Sequence, residues 1–262
     1  MHSDSIRTSI YSFESLVSTN TEAAKMLRES SQLFLYPSMI IAQMQTQGKG
    51  QKGNQWQSPA NKNIYASFVL DTSFIPIEDQ FLLSKIIALG TRNFLSHYIA
   101  PSRIQIKWPN DLYIDTHKKI AGILIENKIM GSVYCKAIAG VGVNFLQDCF
   151  PTYLPNPTSV ILEAPSLTKL PSIEKAASEL FDAILQVFQE AKQHPSSINE
   201  QYLAHLLFFQ QRKPYQYKGE RMEATIKGVD TYGHLQLETD TKSMITADLK
   251  ELTYLWETDH IR

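Results

Sequence analysis

Cysteine is scarce in this 262-residue sequence, which contains only Cys135 and Cys149. Two cysteines placed in this way form neither a disulfide framework nor a metal-ligand spacing. The sequence also has no H-x-x-x-H and no C-x-x-C motif. This cysteine usage is typical of a reducing compartment, so we expect a cytoplasmic protein.

Long apolar runs and an excess of charge are missing as well. No stretch is long enough to span a bilayer, and the first ten residues lack the apolar core of a signal peptide. The formal net charge of −1 indicates neither nucleic acid nor a membrane surface as a partner. A hydrophobic content of 43% supports a full core, and the length allows one large domain or one large and one small. These numbers predict a soluble α/β protein.

The apolar pattern predicts strands and helices along most of the chain. Short apolar or alternating runs predict strands at 38–45, 63–70, 103–109, 111–115, 119–129 and 132–145. Helical spacing predicts helices over 78–98 and 173–188 and a short helix around 202–207. Thr19-Asn20-Thr21-Glu22 fits a capping box, which would start a further helix. After residue 215, short strands with tight turns predict a small β-barrel.

A glycine- and lysine-rich loop, GKGQKGNQW at residues 48–56, follows the strand predicted at 38–45. Gly48 and Gly53 have the separation of P-loop glycines, but asparagine and glutamine stand where that motif needs Lys and Ser/Thr. A P-loop is therefore excluded, although the backbone N–H groups of such a loop still suit an anion. The alternative is a flexible surface hairpin, which leaves Trp56 without a packing partner.

Four other segments fit poorly as plain structure. Ser-Thr-Asn at 18–20 stands at a predicted helix start, where small polar side chains cap the helix or meet a polar ligand. KWPND at 107–111 is either an ordinary turn or a stiff bend that aims a carboxylate into a pocket. The tiny Ala-Gly pair in KKIAGILIE at 118–126 indicates close approach of a ligand or of another backbone. GVGVN at 140–144 has too few glycines for a dinucleotide fingerprint.

Taken in order, these segments resemble the biotin protein ligases. The matching pieces are Ser-Thr-Asn at 18–20, Gln45, GKGQKGNQW at 48–56, KWPND at 107–111, KIAGILIE at 119–126 and GVGVN at 140–144. The resemblance covers roughly residues 10–165, and IKGVDTYGHLQLET at 226–239 is similar to the family's small SH3-like domain. No single motif is decisive, but six in the same order form a specific signal.

The resemblance implies an α+β fold. Its catalytic domain would be a mixed central β-sheet flanked by helices, related to class II aminoacyl-tRNA synthetases, with a small C-terminal SH3-like β-barrel. We expect the catalytic domain over residues 1–212 and the small domain over 213–262. Because the Ser-Thr-Asn motif starts at residue 18, we expect no N-terminal DNA-binding winged helix. The oligomeric state is left open, with a homodimer as one option.

The resemblance also implies the reaction. Biotin and ATP would give biotinyl-5′-AMP and pyrophosphate, with Mg²⁺ balancing the phosphates, and a lysine of a biotin carboxyl carrier protein would then take the biotinyl group. The expected catalytic residues are Lys119, as the central cation, and Asp111. Asp111 would bind Mg²⁺ or orient the acceptor amine. Trp56 and Trp108 would wall the pocket.

The other expected site residues are grouped by ligand. The expected biotin-binding residues are Ser18, Thr19, Asn20, Gln45, Lys49, Gly50, Gln51 and Lys119. The expected ATP- or adenylate-binding residues are Gly48, Lys49, Gly53, Trp56, Lys107, Asn110 and Asn144. The family usually has arginine where Lys49 and Gln51 stand. Lys49 keeps the positive charge but lacks the planar guanidinium that binds an anion with two hydrogen bonds, and Gln51 lacks the charge altogether.

Two alternative functions stay open. A lipoate–protein ligase, or a lipoyl or octanoyl transferase, would share the catalytic fold, although KWPND and the glycine loop favour biotin. A biotin or nucleotide sensor without catalysis would share the pocket, although Lys119 and Asp111 argue against it. A nucleic-acid partner is not expected, because no stripe of aromatic and basic residues recurs.

Overall fold

The structure is a computed structural model that describes residues 7–56, 59–130, 133–165, 167 and 169–255. The strands of its first sheet are β1 (Ser9–Leu16), β2 (Ser38–Gln45), β3 (Asn63–Asp71), β4 (Ile104–Lys107), β5 (Asp111–Ile114), β6 (Lys118–Met130) and β7 (Val133–Asn144). The α-helices are α1 (Thr19–Glu29), α2 (Phe81–Leu95), α3 (Val160–Glu163), α4 (Ile173–Gln193) and α5 (Pro195–Ala204). The strands of the second sheet are β8 (Arg212–Tyr217), β9 (Glu220–Val229), β10 (Leu235–Thr239), β11 (Met244–Ala247) and β12 (Leu252–Tyr254).

The first sheet is mixed, with the strand order β1-β2-β3-β7-β6-β5-β4. β1 and β2 run parallel, because α1 crosses over between them, and the other neighbouring strands run antiparallel. The predicted α+β fold with a mixed central sheet is therefore confirmed.

Helices cover both faces of this sheet. The alternation of side chains along β2 places Met39 and Ile41 in the core with α2 and α4, and Ile40 in a smaller cluster with α1. Because β2 and β3 are buried on both faces, they appear in the sequence as continuous apolar runs. These two strands therefore match the predicted ones closely.

Two elements were not predicted, and two helices start elsewhere than expected. β1 lies at the sheet edge and alternates half-buried with exposed residues, so its apolar signal is weak. α3 is only one turn long. α2 starts later than predicted because a 3₁₀ turn at Ile77–Asp79 precedes it. α5 starts earlier, at Pro195, since proline is accommodated in the first turn of a helix.

The second sheet is antiparallel, with the order β11-β10-β9-β8-β12. This confirms the predicted small C-terminal β domain. β8 begins at Arg212, next to the predicted boundary between residues 212 and 213, and that boundary stays a prediction. Within the described part of the chain, no helix combines the length and apolarity that crossing a bilayer requires.

Gly90 allows α2 to pack closely on α4. An added Cβ would lie 2.6 Å from Ile184 Cα, a backbone atom that cannot move aside. Gly90→Ala is expected to lower the free energy of unfolding by about 1–3 kcal/mol, since overpacking outweighs the better helix propensity of alanine. Urea denaturation measures the change. Asn93→Ala, at a half-buried position of the same helix, is the control and should change it by about 0.5 kcal/mol or less. An unchanged midpoint for Gly90→Ala would contradict this packing.

Candidate active site

A cavity of about 280 Å³ lies between β6, β7, the start of α1 and the glycine loop. Most of the residues predicted to act in the site line it, although they are far apart in the sequence. They are Ser18, Thr19, Asn20, Gln45, Lys49, Gly50, Gln51, Trp56, Lys107, Asn110, Asp111 and Lys119. The fold therefore brings the sequence motifs together in one place.

Glycines form the floor of this cavity. Gly122 of β6 pairs with Gly142 of β7, and an added Cβ at Gly142 would lie 2.5 Å from the Trp56 indole. An added Cβ at Gly140 would overlap the side-chain amide of Asn20. Glycine is needed at these positions because side chains lie directly on the sheet. The close approach predicted at the Ala-Gly pair is confirmed, and the approaching group is an indole.

α1 starts at this floor without a side-chain cap. Ser18 is its N-cap residue, but the Ser18 side chain makes no capping hydrogen bond. Gln45 Oε1 instead accepts hydrogen bonds from the N–H and the hydroxyl of Thr19, at 2.8 and 3.2 Å. The predicted capping box is therefore wrong, because the Thr19 hydroxyl points at Gln45 and Glu22 pairs with Lys25 at 3.6 Å. The expected place of Ser18 and Thr19 in the pocket agrees with this geometry.

Ser67 of β3 belongs to the same polar wall and was not predicted. Its hydroxyl lies 2.7 Å from Thr19 Oγ1 and 2.6 Å from Asn20 Oδ1. Asn20 Nδ2 donates to Glu126 at 2.9 Å and to the Leu124 carbonyl at 3.3 Å. These contacts fix the orientation of the Asn20 amide. The only sequence signal for Ser67 was a hydroxyl in the apolar run NIYASFVL.

The glycine loop closes on itself beside the cavity. The Gly50 N–H donates to the Asn54 carbonyl at 2.7 Å, and the Trp56 N–H donates to the Gly48 carbonyl at 2.9 Å. Gly53 has a φ of +81°, in the left-handed region that glycine favours. These hydrogen bonds hold the loop in place, and its Trp56 packs on the glycine floor. The structure therefore differs from the alternative of a flexible surface hairpin. Gly48 is absent from the described lining residues and contributes its carbonyl to the loop instead.

Opposite charges meet beside this indole. Lys119 Nζ lies 2.8 Å from Asp111 Oδ1 and 5.5 Å from the centroid of the Trp56 ring. The two charged side chains are 30% and 15% exposed, respectively. Because the pair is partly shielded from water, it holds the ammonium more firmly than a surface ion pair would. The structure therefore places both predicted catalytic side chains in direct contact.

Lys107 adds a second cation to the cavity. Lys107 lies opposite Asp111 in the register of β4 and β5. Its ammonium lies 4.8 Å from the ring centroid of Tyr254 and 5.6 Å from that of Tyr113. Burial lowers the pKa of Lys107, an effect that Asp111 opposes and Lys119 reinforces. Keeping this lysine charged therefore costs free energy, because Asp111 offsets the effect of burial only in part.

A second cavity, of about 660 Å³, adjoins the first. Trp56 and Lys119 line both cavities, so the partition between them consists in part of these two side chains. The other lining residues are Gly53, Asn54, Gln55, Asn144, Gln147, Phe150, Tyr153, Leu154, Pro155 and Pro157. Asn144, which is predicted to bind the adenylate, lines this cavity, and its side-chain amide donates to the Thr158 carbonyl at 2.8 Å.

Trp108 lies behind the first cavity rather than on its wall. The side chain is 2% exposed, and its Nε1–H donates to the Gly233 carbonyl at 2.8 Å, in the turn between β9 and β10. A buried indole N–H needs such an acceptor, and Trp108 lines a neighbouring cavity of about 310 Å³ instead of the first one. Leu249, from the same C-terminal unit, lines the first cavity instead.

The carboxylates of the site are too few for a resident metal. In the described ranges, no three His, Cys, Asp or Glu side chains gather as potential ligands. Asp111 is the only acidic residue among the described lining residues of the two cavities. One carboxylate fits an ion that arrives with phosphates, since Mg²⁺ is usually bound by one or two carboxylates plus substrate phosphate oxygens.

Comparison with known proteins agrees with this geometry. A model described as the Biotin/lipoate A/B protein ligase family matches residues 12–144, just over half of the chain. The chain belongs to this family. Membership confirms the resemblance drawn from the motifs, most of which lie within the matched residues.

Individual members of the family show how far the similarity extends. The biotin–[acetyl-CoA-carboxylase] ligase of Paracoccus denitrificans is 33% identical over 128 residues, which are 48% of this chain and 50% of that protein. Human biotin–protein ligase is 26% identical over 219 residues, which are 79% of this chain and 29% of that protein. This chain therefore spans half or less of the length of these two relatives.

A solved structure extends the likeness to the whole fold. The biotin protein ligase from Aquifex aeolicus in complex with biotin and ATP superposes with a TM-score of 0.73 at 19% identity. The alignment covers 94% of this chain and 97% of that one. At this identity the comparison shows a shared fold over nearly the whole chain.

Gly142→Ala should displace the Trp56 indole without unfolding the protein. The new methyl group would occupy the place of the indole, which belongs to a surface loop and can move. We expect a nearly unchanged melting temperature and stronger acrylamide quenching of tryptophan fluorescence. Gly228→Ala is the control, because its Cβ would meet only Gln236 Oε1, at 3.0 Å, and that side chain is flexible. Equal quenching in both variants would show that the indole does not lie on the floor.

Lys107→Met should stabilise the protein at neutral pH. The pKa of Lys107 lies below its usual 10.5 in the folded state, so its charge costs stability at every pH below the folded-state pKa. The cost fades as pH rises to 10.5, where the unfolded chain also loses the proton. We expect a melting temperature about 2–4 °C higher at pH 7, with a smaller gain near pH 10. A gain that stays constant from pH 7 to 10.5 would contradict this explanation.

Proposed function

We propose that this chain activates biotin with ATP and transfers the biotinyl group to a lysine of a biotin carboxyl carrier protein. The observation that carries the proposal is the position of Lys119, which lines both cavities and pairs with Asp111 at 2.8 Å. An ammonium placed there can meet two anions that would otherwise repel each other. Relatives named as biotin ligases support the choice of biotin.

In this proposal biotin occupies the smaller cavity. Its polar ring system meets the wall formed by Thr19, Asn20 and Gln45, and its carboxylate reaches Lys119. Ser67 and Gln45 already hold the wall side chains in place, so little side-chain entropy is lost on binding. Ser18, whose hydroxyl does not cap α1, is positioned to contact the same ligand.

The nucleotide occupies the larger cavity in this proposal. Its volume of about 660 Å³ is in the range of small-molecule pockets. Gly53 and Asn144 lie on the base and ribose side, whereas Lys49, Lys107 and Asn110 reach the phosphates from the neighbouring cavity. The Aquifex relative binds both biotin and ATP. When bound with ATP, Mg²⁺ would neutralise phosphate charge, and Asp111 would hold it.

In the first half-reaction, an oxygen of the biotin carboxylate attacks the α-phosphorus of ATP, and the bond to pyrophosphate breaks. The Lys119 ammonium contacts both anions and stabilises the charge that develops between them. Asp111 has already fixed this ammonium, so no reorganisation is needed when the reaction occurs. Trp56 shields the junction of the cavities from water, which strengthens these charge interactions.

In the second half-reaction, the amine of the acceptor lysine attacks the anhydride carbonyl, and AMP leaves. The amine must first lose a proton, because a lysine with a pKa near 10.4 is almost fully protonated at pH 7. We assign Asp111 to orient this amine, since no other carboxylate is among the described lining residues. The rest is positioning, because the acyl group is already activated.

A cytoplasmic location, the absence of a nucleic-acid partner and a homodimer also remain proposals. The first two rest on the cysteine content and the net charge of −1.

Intact mass spectrometry tests the function directly. The protein is incubated with ATP, Mg²⁺, biotin and a biotin carboxyl carrier domain, and the carrier should gain one biotinyl group. Lys119→Gln should slow this reaction by about 10²- to 10³-fold, as the loss of other preorganised charge contacts does. Lys62→Gln is the matched control, since Lys62 lies outside both cavities and pairs only loosely with Asp148, at 3.8 Å.

Two other outcomes would replace the proposal. The matching family model also includes lipoate ligases, so a lipoyl domain with lipoate is assayed in parallel. An unmodified biotin carrier beside a modified lipoyl domain would make the protein a lipoate ligase. Binding of biotin, without release of pyrophosphate from ATP in the presence of either biotin or lipoate, would make it a non-catalytic sensor.

A further inference from the structure

We propose that Thr158 and Glu163, which belong to none of the motifs, are positioning residues for Lys119. Together they hold the main chain of Lys119 against residues 156–158, of which Pro157 lines the second cavity. The kinetic test of this inference rests on the proposed function. Its structural test depends only on the position of Lys119 and needs no activity.

Both backbone polar groups of Lys119 form hydrogen bonds with this neighbouring segment. Its N–H donates to the Asn156 carbonyl at 2.9 Å, and its own carbonyl accepts from the Thr158 N–H at 2.9 Å. The two hydrogen bonds form a parallel bridge between Lys119 and Pro157. Because Pro157 lines the second cavity, the main chain of Lys119 and this wall must move together.

Thr158 is 2% exposed and makes three polar contacts. Its N–H donates to Lys119, and its carbonyl accepts from Asn144 Nδ2 at 2.8 Å. Its hydroxyl donates to Glu163 Oε1 at 2.6 Å. A buried hydroxyl keeps such a partner because leaving it unsatisfied is costly, so Glu163 determines the position of this segment.

Glu163 also anchors the residue before Lys119. Its side chain is 7% exposed, and it accepts a hydrogen bond from Lys118 Nζ at 3.0 Å and pairs with the guanidinium of Arg103. Burial acts to raise the pKa of Glu163, but the hydrogen bonds from Thr158, Lys118 and Arg103 outweigh it and lower the pKa. The carboxylate therefore stays charged at neutral pH.

Two restraints thus converge on Lys119, one along the chain through Lys118 and one across the bridge through Thr158. Thr158 and Glu163 are absent from the described lining residues of both cavities, so they act through other residues. A displacement of about 1 Å in a reacting group can cost about a hundredfold in rate. Loss of either restraint should therefore affect the first half-reaction more than the binding of biotin.

Substitutions at Thr158 test the role of its hydroxyl. Thr158→Val keeps the volume and removes the donor to Glu163, whereas Thr158→Ser keeps the donor. We expect Thr158→Val to lower kcat for pyrophosphate release by about ten- to a hundredfold and to leave KM for biotin within about twofold. Thr158→Ser should restore kcat to within about twofold of wild type. A purely structural role would not produce this separation of kcat from KM with rescue by serine.

Substitution of the carboxylate gives a second series. Glu163→Gln still accepts from Thr158 but loses its charge toward Lys118 and Arg103, so we expect a smaller loss of kcat than in Thr158→Val. Glu190→Gln is the matched control, because Glu190 accepts hydrogen bonds from Ser197 and Gln201 between α4 and α5. That variant should keep wild-type kcat.

Crystal structures of both Thr158 variants provide a readout that needs no activity. We expect Lys119 Nζ to lie farther from Asp111 in Thr158→Val than in Thr158→Ser. Unchanged kcat in Thr158→Val, or an equal loss in Thr158→Ser, overturns the positioning role. If the wild-type chain releases no pyrophosphate, the proposed function fails instead. The Lys119–Asp111 distance then decides the positioning role alone, and equal distances in the two variants overturn it.

Discussion

The bare floor made by Gly122, Gly140 and Gly142 is the constraint on which the rest of the site depends. A side chain at these positions would collide with Trp56 or Asn20, which lie directly on β6 and β7. Glycine weakens a strand interior, because it adds no packing and loses more backbone entropy on folding. Here the neighbouring antiparallel pairs of β3, β7 and β6 support the strands, so the cost is tolerated and a cavity results.

Charge accumulates over this floor in a way that does not favour stability. Lys107 and Lys119 lie near one carboxylate, Asp111, and burial disfavours the charged form of Lys107. Two cations that share one carboxylate in a partly buried cleft are typical of sites that bind anionic ligands. In the proposed function, Lys107 and Lys119 would contact a phosphate and a carboxylate, and the charge of Lys107 costs stability until such an anion binds.

The C-terminal sheet takes part in the site and is more than an appended domain. Its turn between β9 and β10 accepts the hydrogen bond of Trp108, and Tyr254 of β12 lies beneath the ammonium of Lys107. Leu249 lines the first cavity itself. The KWPND bend is thus held between the two sheets, which connects the second sheet physically to the position of Asp111.

Local sequence patterns were sufficient for the elements whose burial is simple. The apolar runs of β2 and β3, the helical stripe of α4 and the order of the motifs predicted the fold. The motifs also contain most of the residues that line the first cavity. β1 was missed because an edge strand buries little and so carries little periodic signal. These successes and failures follow from periodicity, which reports how one element is buried and nothing about its partners.

Only the tertiary structure decided which groups meet. Thr19 bonds Gln45 instead of capping α1, Ser67 supports Asn20, and Trp108 turns away from the cavity toward Gly233. Thr158 and Glu163 reach Lys119 from a segment that carries no motif. A hydrogen bond between distant parts of a chain depends on distances of a few tenths of an ångström, and these are set by the packing of whole elements. The sequence therefore determined the fold and the chemical groups of the site, whereas their pairing emerged only when the sheets and helices packed together.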